Sequence, residues 1–155
     1  MNLVTKMILT GLIAAPAVSA WADAPVMSAM QTPEVYKQEC ASCHMAYAPE
    51  FLSKSAWRRV MDSLDKHYGT DASLDPETSR SISNWLSQYA GRYKRVVESS
   101  KEDRLTTTPW FARKHNDINP GVFQRATIKS PANCAACHTQ AERGNYDDDN
   151  VRIPK

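Results

Sequence analysis

The chain has 155 residues, a formal net charge of +2 at neutral pH and 42% hydrophobic residues. That length bounds it to one domain or two very small ones. It carries no concentrated basic run and no nucleic-acid-binding motif, which removes nucleic acid from the expected partners.

The chain opens on a short, weakly basic start closed by Lys6. A mostly apolar run follows, Met7 to Val18, and then Ala20-Trp21-Ala22, a small-x-small pattern suited to signal peptidase. Residues 1–22 therefore read as an export signal, cleaved near Ala20–Asp23, and predict a periplasmic location. An N-terminal membrane anchor is the alternative, but the apolar run is short for a hydrocarbon core, and no later segment approaches that length. Cleavage leaves about 133 residues, poor in Leu, Ile and Val, with no stretch resembling a buried strand. Such a chain is short of core-forming side chains, a deficit that a large apolar cofactor would fill.

The remaining elements read as all-α. Thr32-Pro33 is a start signal for a short helix running into Cys40 and His44. Ser53 caps a predicted helix from Lys54 to His67, with Trp57, Val60, Leu64 and His67 on one stripe and Gly69 as its stop. Asp75-Pro76 opens a third helix with an apolar stripe of Ile82, Trp85, Leu86 and Tyr89, weakened at Gly91. Thr108-Pro109 opens a short segment from Trp110 to His115, and Asn119-Pro120-Gly121 is a turn. Ser130-Pro131 is predicted to start a last helix that Gly144 stops. The polar tail from Asn145 to Lys155 is expected on the surface or loosely wrapped.

The four cysteines stand in one pattern used twice: Cys40-Ala41-Ser42-Cys43-His44 and Cys134-Ala135-Ala136-Cys137-His138. C-x-x-C-H is the attachment signature for c-type haem. Two thiols must add to the two vinyl groups on one edge of a porphyrin, and helical positions three apart share a face. The next residue then turns its imidazole under the ring to bind iron. Two disulfides would leave the histidine after each pair unexplained. Zinc sites use closer C-x-x-C pairs than Cys43 and Cys134, and a thiol–disulfide oxidoreductase needs strands that are not evident here. The reading is therefore two covalently bound c-type haems, with Cys40, Cys43, Cys134 and Cys137 as attachment points and His44 and His138 as proximal ligands.

A haem held by one histidine has an open sixth position, and the chain has four histidines in all. The two to spare are His67, on the apolar stripe, and His115, beside Trp110 and Phe111. The simple assignment gives His67 to the first iron and His115 to the second, although a crossed arrangement is also open. Met61 competes with His67; Met45 adjoins its own proximal histidine and does not reach over the ring. Organisation follows from this count: residues 23–90 as a first haem lobe, 91–107 as a linker and 108–155 as a second haem lobe.

The stretches CASCHMAYAP (Cys40–Pro49), Ser55-Ala56-Trp57, LDKHYGTDA (Leu64–Ala72), KSPANCAACH (Lys129–His138), Ala141-Glu142 and Gly144 resemble the di-haem cytochrome c family, whose members donate electrons to small high-spin monohaem cytochromes. The resemblance covers most of the mature chain. It implies a small cytochrome c-like helical fold, histidines on both sides of both irons, and a periplasmic electron carrier rather than an enzyme. It also implies redox partners: a high-spin monohaem cytochrome c and a membrane b-type cytochrome. Arg58, Arg59, Arg92, Lys94 and Arg95 are candidates for a docking patch or for propionate pairing, against a solvated charged face. A small haem peroxidase or reductase, or a gas or redox sensor, remains the alternative if one axial position is open or labile.

Overall fold

The computed structural model describes residues 32–93, 96 and 102–155; the predicted export signal and residues 94–95 lie outside them. The fold is all-α. The described residues include the helices α1 (Glu34–Cys40), α2 (Lys54–Met61), α3 (Pro76–Tyr89) and α4 (Pro109–Lys114), with short 3-10 turns between them and no strand among the described residues beyond three isolated bridge pairs. No helix among those residues is long and apolar enough to cross a membrane.

Local chemistry explains three of the four helix starts. Ser53 accepts a hydrogen bond from the Ala56 N–H, Asp75 from those of Glu77 and Thr78, and Thr108 from that of Phe111. Each side chain satisfies a backbone donor that the first turn leaves without an intrahelical partner. Pro33 stands at the N-cap of α1 instead of inside it, and no side chain caps that helix.

The core lies where α1, α2 and α3 meet the 3-10 turn Pro49–Phe51. Ile82 and Leu86, one turn apart on α3, are each only 1% exposed and pack with Tyr36, Phe51, Leu52, Ala56 and Trp57. Burying each of these aliphatic side chains is worth about 1.5–3 kcal/mol. The Trp57 indole N–H donates to the Pro49 carbonyl at 2.7 Å, so this large ring is buried with its polar atom satisfied. The same core continues into the C-terminal half through Leu105 and Phe111. Phe51 stacks on Trp110 with centroids 5.5 Å apart and meets Tyr146 edge-on at 5.1 Å.

The structure departs from the sequence reading in three places. The helix expected to run from Lys54 to His67 stops at Met61; a 3-10 turn, Leu64–Lys66, then carries the chain to His67. The Ser63 hydroxyl donates back to the Arg59 carbonyl at 2.7 Å, the kind of local bond that competes with helix continuation. The segment after Ser130-Pro131 is not one helix but two 3-10 turns, Cys134–Ala136 and Ala141–Arg143, ended by Gly144 at φ 73°. The Asn133 amide donates to the Ile128 carbonyl, drawing the segment's start back across the chain. The tail competes for its middle: the Arg152 N–H donates to the Cys137 carbonyl at 2.8 Å, and the Thr139 hydroxyl to the Asn150 carbonyl at 3.1 Å. The tail is therefore not loose. His138 pairs with Val151 as an isolated bridge, and the Arg125 guanidinium reaches the Pro154 carbonyl.

Candidate haem centres

Cys40 ends α1, and His44 follows a tight turn over residues 41–43. Facing it is His67, delivered by the 3-10 turn after α2. The two imidazole centroids are 6.1 Å apart with their planes at 26°. At the other centre, α4 presents His115 at its C-cap, and the Cys134–Ala136 turn presents His138. Those centroids are also 6.1 Å apart, with planes at 79°. The fold thus gathers the four histidines of the chain into two pairs, 44 with 67 and 115 with 138.

A metal–imidazole bond of about 2.0–2.1 Å on each side, with about 1.1 Å from nitrogen to ring centre, sets two axial imidazoles about 6.3 Å apart. Both observed separations fit one iron between the rings. The hydrogen bonding suits that role as well. His44 Nδ1 lies 2.7 Å from the Met45 carbonyl and His115 Nδ1 lies 3.0 Å from the Phe111 carbonyl. A backbone acceptor at Nδ1 fixes the tautomer and leaves Nε2 with its lone pair for a metal. His138 Nδ1 is buried without a hydrogen-bond partner among the described residues.

Electrostatics favour the neutral, metal-binding form of one ring in each pair. Burial lowers the His67 pKa below the ordinary histidine value, helped by His44 and by the Arg104 guanidinium. Burial also lowers that of His138, helped by His115 and opposed by Asp148.

The surroundings of the two pairs differ. A cleft of about 350 Å³ opens beside His115 and His138, walled by Trp110, Phe111, Val122, Phe123 and Ile128, with Cys134 and Cys137 at its edge. An apolar cleft bounded by both thiols and both imidazoles fits a porphyrin. Phe111 stacks on His115 with centroids 4.0 Å apart, and Tyr146 meets His138 edge-on at 5.5 Å. Beside His67 a narrow cleft of about 90 Å³ lies between His67, Tyr68 and Arg59. Tyr47 stacks on His44 with centroids 4.7 Å apart.

None of the four cysteines is paired in a disulfide. Burial pushes the Cys40 and Cys134 thiols up to about 11. Met61, the competitor for the first iron, packs against the hydrophobic core. Of the arginines considered for a docking patch, Arg59 is held in an ion pair by Asp103 and Arg58 approaches Asp62. Lys94 and Arg95 lie outside the described residues. The sequence reading missed Tyr47 and Tyr146, whose partners are distant in the chain; only their place among the quoted family stretches, in the case of Tyr47, offered a signal.

Comparison with known proteins identifies the family. A search of curated proteins gives no match. A family model described as dihaem cytochrome c matches residues 36–146. Among solved structures, a dihaem cytochrome c from Shewanella baltica is 35% identical with a TM-score of 0.69, covering 78% of this chain and 92% of its own. Two structures of the Rhodobacter sphaeroides dihaem cytochrome are similar to the chain as well. One is 38% identical at a TM-score of 0.64, covering 74% of this chain and 97% of its own. The other is 36% identical at 0.67, covering 75% and 98%. With the match spanning both C-x-x-C-H motifs and all four paired histidines, the chain belongs to the dihaem cytochrome c family.

Proposed function

We propose that this chain is a periplasmic one-electron carrier with two low-spin haems, each iron between two histidines of the chain. Membership of the family brings two covalently bound c-type haems. Their thioethers would form on Cys40 and Cys43 at one centre and on Cys134 and Cys137 at the other. His44 and His67 would ligate the first iron, and His138 and His115 the second. The observation that carries this reading is the pairing of the four histidines at equal separations of 6.1 Å.

When bound, each haem supplies a one-electron iron couple. The chain's own work is to fill both axial positions, keep the His67 and His138 imidazoles neutral and exclude water from the second ring with the Phe111–Phe123 wall. Filled positions leave no site for a substrate on iron, which favours electron transfer over peroxidase, reductase or sensor chemistry. Histidine on both sides, in place of methionine, holds the potentials low. Residues 23–90 and 108–155 serve as the two haem lobes, with 91–107 between them. The partners are other redox proteins; the family resemblance points to a high-spin monohaem cytochrome c and a membrane b-type cytochrome. Export by the segment 1–22 would deliver the chain to the compartment where such haems are attached.

The test is the visible spectrum of the reduced holoprotein with and without carbon monoxide. Two low-spin haems unchanged by the gas are expected. A gas-induced shift in either haem would point to an open or labile axial position, and so to the enzyme or sensor reading.

A further inference from the structure

Tyr47 touches both centres. Its ring stacks on the His44 imidazole, 4.7 Å between centroids and 19° between planes. Its hydroxyl donates to the Ala132 carbonyl at 2.8 Å, across 85 residues of chain. Ala132 stands two residues before Cys134. The same carbonyl accepts from the Cys134 thiol, with the sulfur 3.7 Å away. Once Cys134 becomes a thioether its sulfur has no hydrogen to donate, and Tyr47 remains as the side-chain donor to Ala132.

The tyrosine is itself held in place. The Tyr36 hydroxyl, at the heart of the α1–α3 core, donates to the Tyr47 carbonyl at 2.7 Å. The Ala132 segment is fixed on its other side, where the Ser130 hydroxyl accepts from the Ala132 N–H and the Asn133 amide donates to Ile128. A partly buried phenol whose two ends engage two separate anchored groups transmits a displacement at one to the other.

Resting on the bis-histidine reading above, we propose that Tyr47 is a positioning residue that couples the two haems: its ring sets the His44 imidazole at the first, and its hydroxyl anchors the Cys134 attachment turn at the second. The two haems are then tuned in common, through one side chain, despite lying on separate C-x-x-C-H motifs. The two functions of the side chain are separable by substitution. Tyr47→Phe keeps the ring and removes the hydroxyl. Tyr47→Leu removes both.

The experiment records the ferric electron paramagnetic resonance spectrum and a spectropotentiometric titration of the holoprotein and both variants. The spectrum reports axial ring orientation and the titration reports each couple, so neither depends on partner activity. Tyr47→Phe is expected to keep the first-haem signal and to shift the signal and midpoint of the second. Tyr47→Leu is expected to shift both. Ser53→Ala, which weakens the α2 cap, controls for a general loss of stability and should leave both signals in place. Wild-type signals and midpoints at both haems in Tyr47→Phe would overturn the coupling, as would equal shifts in Ser53→Ala. High-spin iron in the wild-type protein would be the distinct failure of the bis-histidine reading, visible before any variant is made, and would overturn the coupling with it.

Discussion

Arg59 on α2 grips Asp103 with two hydrogen bonds, Nε to Oδ2 at 2.7 Å and Nη2 to Oδ1 at 2.6 Å. Beside this pair the Tyr68 hydroxyl donates to the Glu102 carbonyl at 3.1 Å, and the Arg104 guanidinium lies 4.0 Å over the Tyr68 ring. Residues 102–104 thus clamp the turn that carries His67. That turn needs holding: Tyr68 has φ 50°, a conformation that non-glycine residues adopt at a cost. The Asp103 side chain is only 13% exposed, so its charge is better shielded from water than that of an ordinary surface pair.

Arg59→Ala should therefore act on the placement of His67 more than on the fold. Global stability is expected to fall by no more than about 1 kcal/mol, as for other partly exposed ion pairs. The reduced variant should nevertheless show a high-spin fraction that binds carbon monoxide at the first haem, and the fraction should grow with ionic strength in the weaker variant Arg59→Lys. A fully low-spin spectrum in Arg59→Ala would remove the clamp from the account.

Gly91 follows α3, where its N–H donates to the Leu52 carbonyl at 2.9 Å. A Cβ there would run into the Glu50 carbonyl and come within 2.6 Å of Val96 Cγ1. The backbone oxygen has little freedom to yield, so Gly91→Ala should lower stability by about 1–3 kcal/mol, the usual range for overpacking. Chemical denaturation of the holoprotein measures this. A stability equal to wild type would show that the two segments separate freely.

Asp75 caps α3, and hydrogen bonds from Thr78, side chain and backbone, hold its carboxyl below the usual value, with the Glu77 N–H contributing. A carboxylate with a lowered folded value stabilises the fold above its unfolded value, about 3.9, and loses that contribution as the pH falls through the folded one. Asp75→Ala should thus be less stable than wild type at neutral pH, and the gap should close in acid. Thermal midpoints across pH check the sign; a gap constant with pH would contradict it.

The ring angles predict two different haems. An axial imidazole interacts with the iron d orbital that lies across its plane. Rings at 26°, as in His44 and His67, act on one orbital; rings at 79°, as in His115 and His138, act on both nearly equally. The ferric holoprotein should therefore give two distinct low-spin resonance signals, a rhombic one from the first haem and a strongly axial one from the second. Two identical signals would contradict the angles.

The parts of this fold written in short-range chemistry were legible in the sequence. Ser53, Asp75 and Thr108 cap helices as their residue types predict, and the stripe Ile82–Leu86 is the buried face of α3. The two C-x-x-C-H motifs announce their cofactor, since that spacing answers the geometry of the porphyrin edge. What was not legible depends on contacts distant in the chain. The segment around Cys134 has the start signal of a helix, yet the tail's Arg152 N–H takes the Cys137 carbonyl, and the Asn133 and Thr139 side chains tie the segment to Ile128 and Asn150. His67 still faces His44 although the helix meant to carry it ends at Met61, because the clamp at Asp103, 36 positions further on, fixes the following turn. Tyr47 reads locally as one aromatic residue among several; its role emerges only when residue 132 folds back against it.

The account depends most on two irons each sharing a pair of imidazoles, and single-histidine variants examine it most directly. The electron paramagnetic resonance spectrum of His67→Ala and of His115→Ala should each retain one low-spin haem and show one high-spin haem, with the signal lost from His67→Ala being the rhombic one. Two low-spin haems surviving in either variant would show that its histidine is not a ligand and that the pairing of residues 44 with 67 or 115 with 138 does not describe the centre.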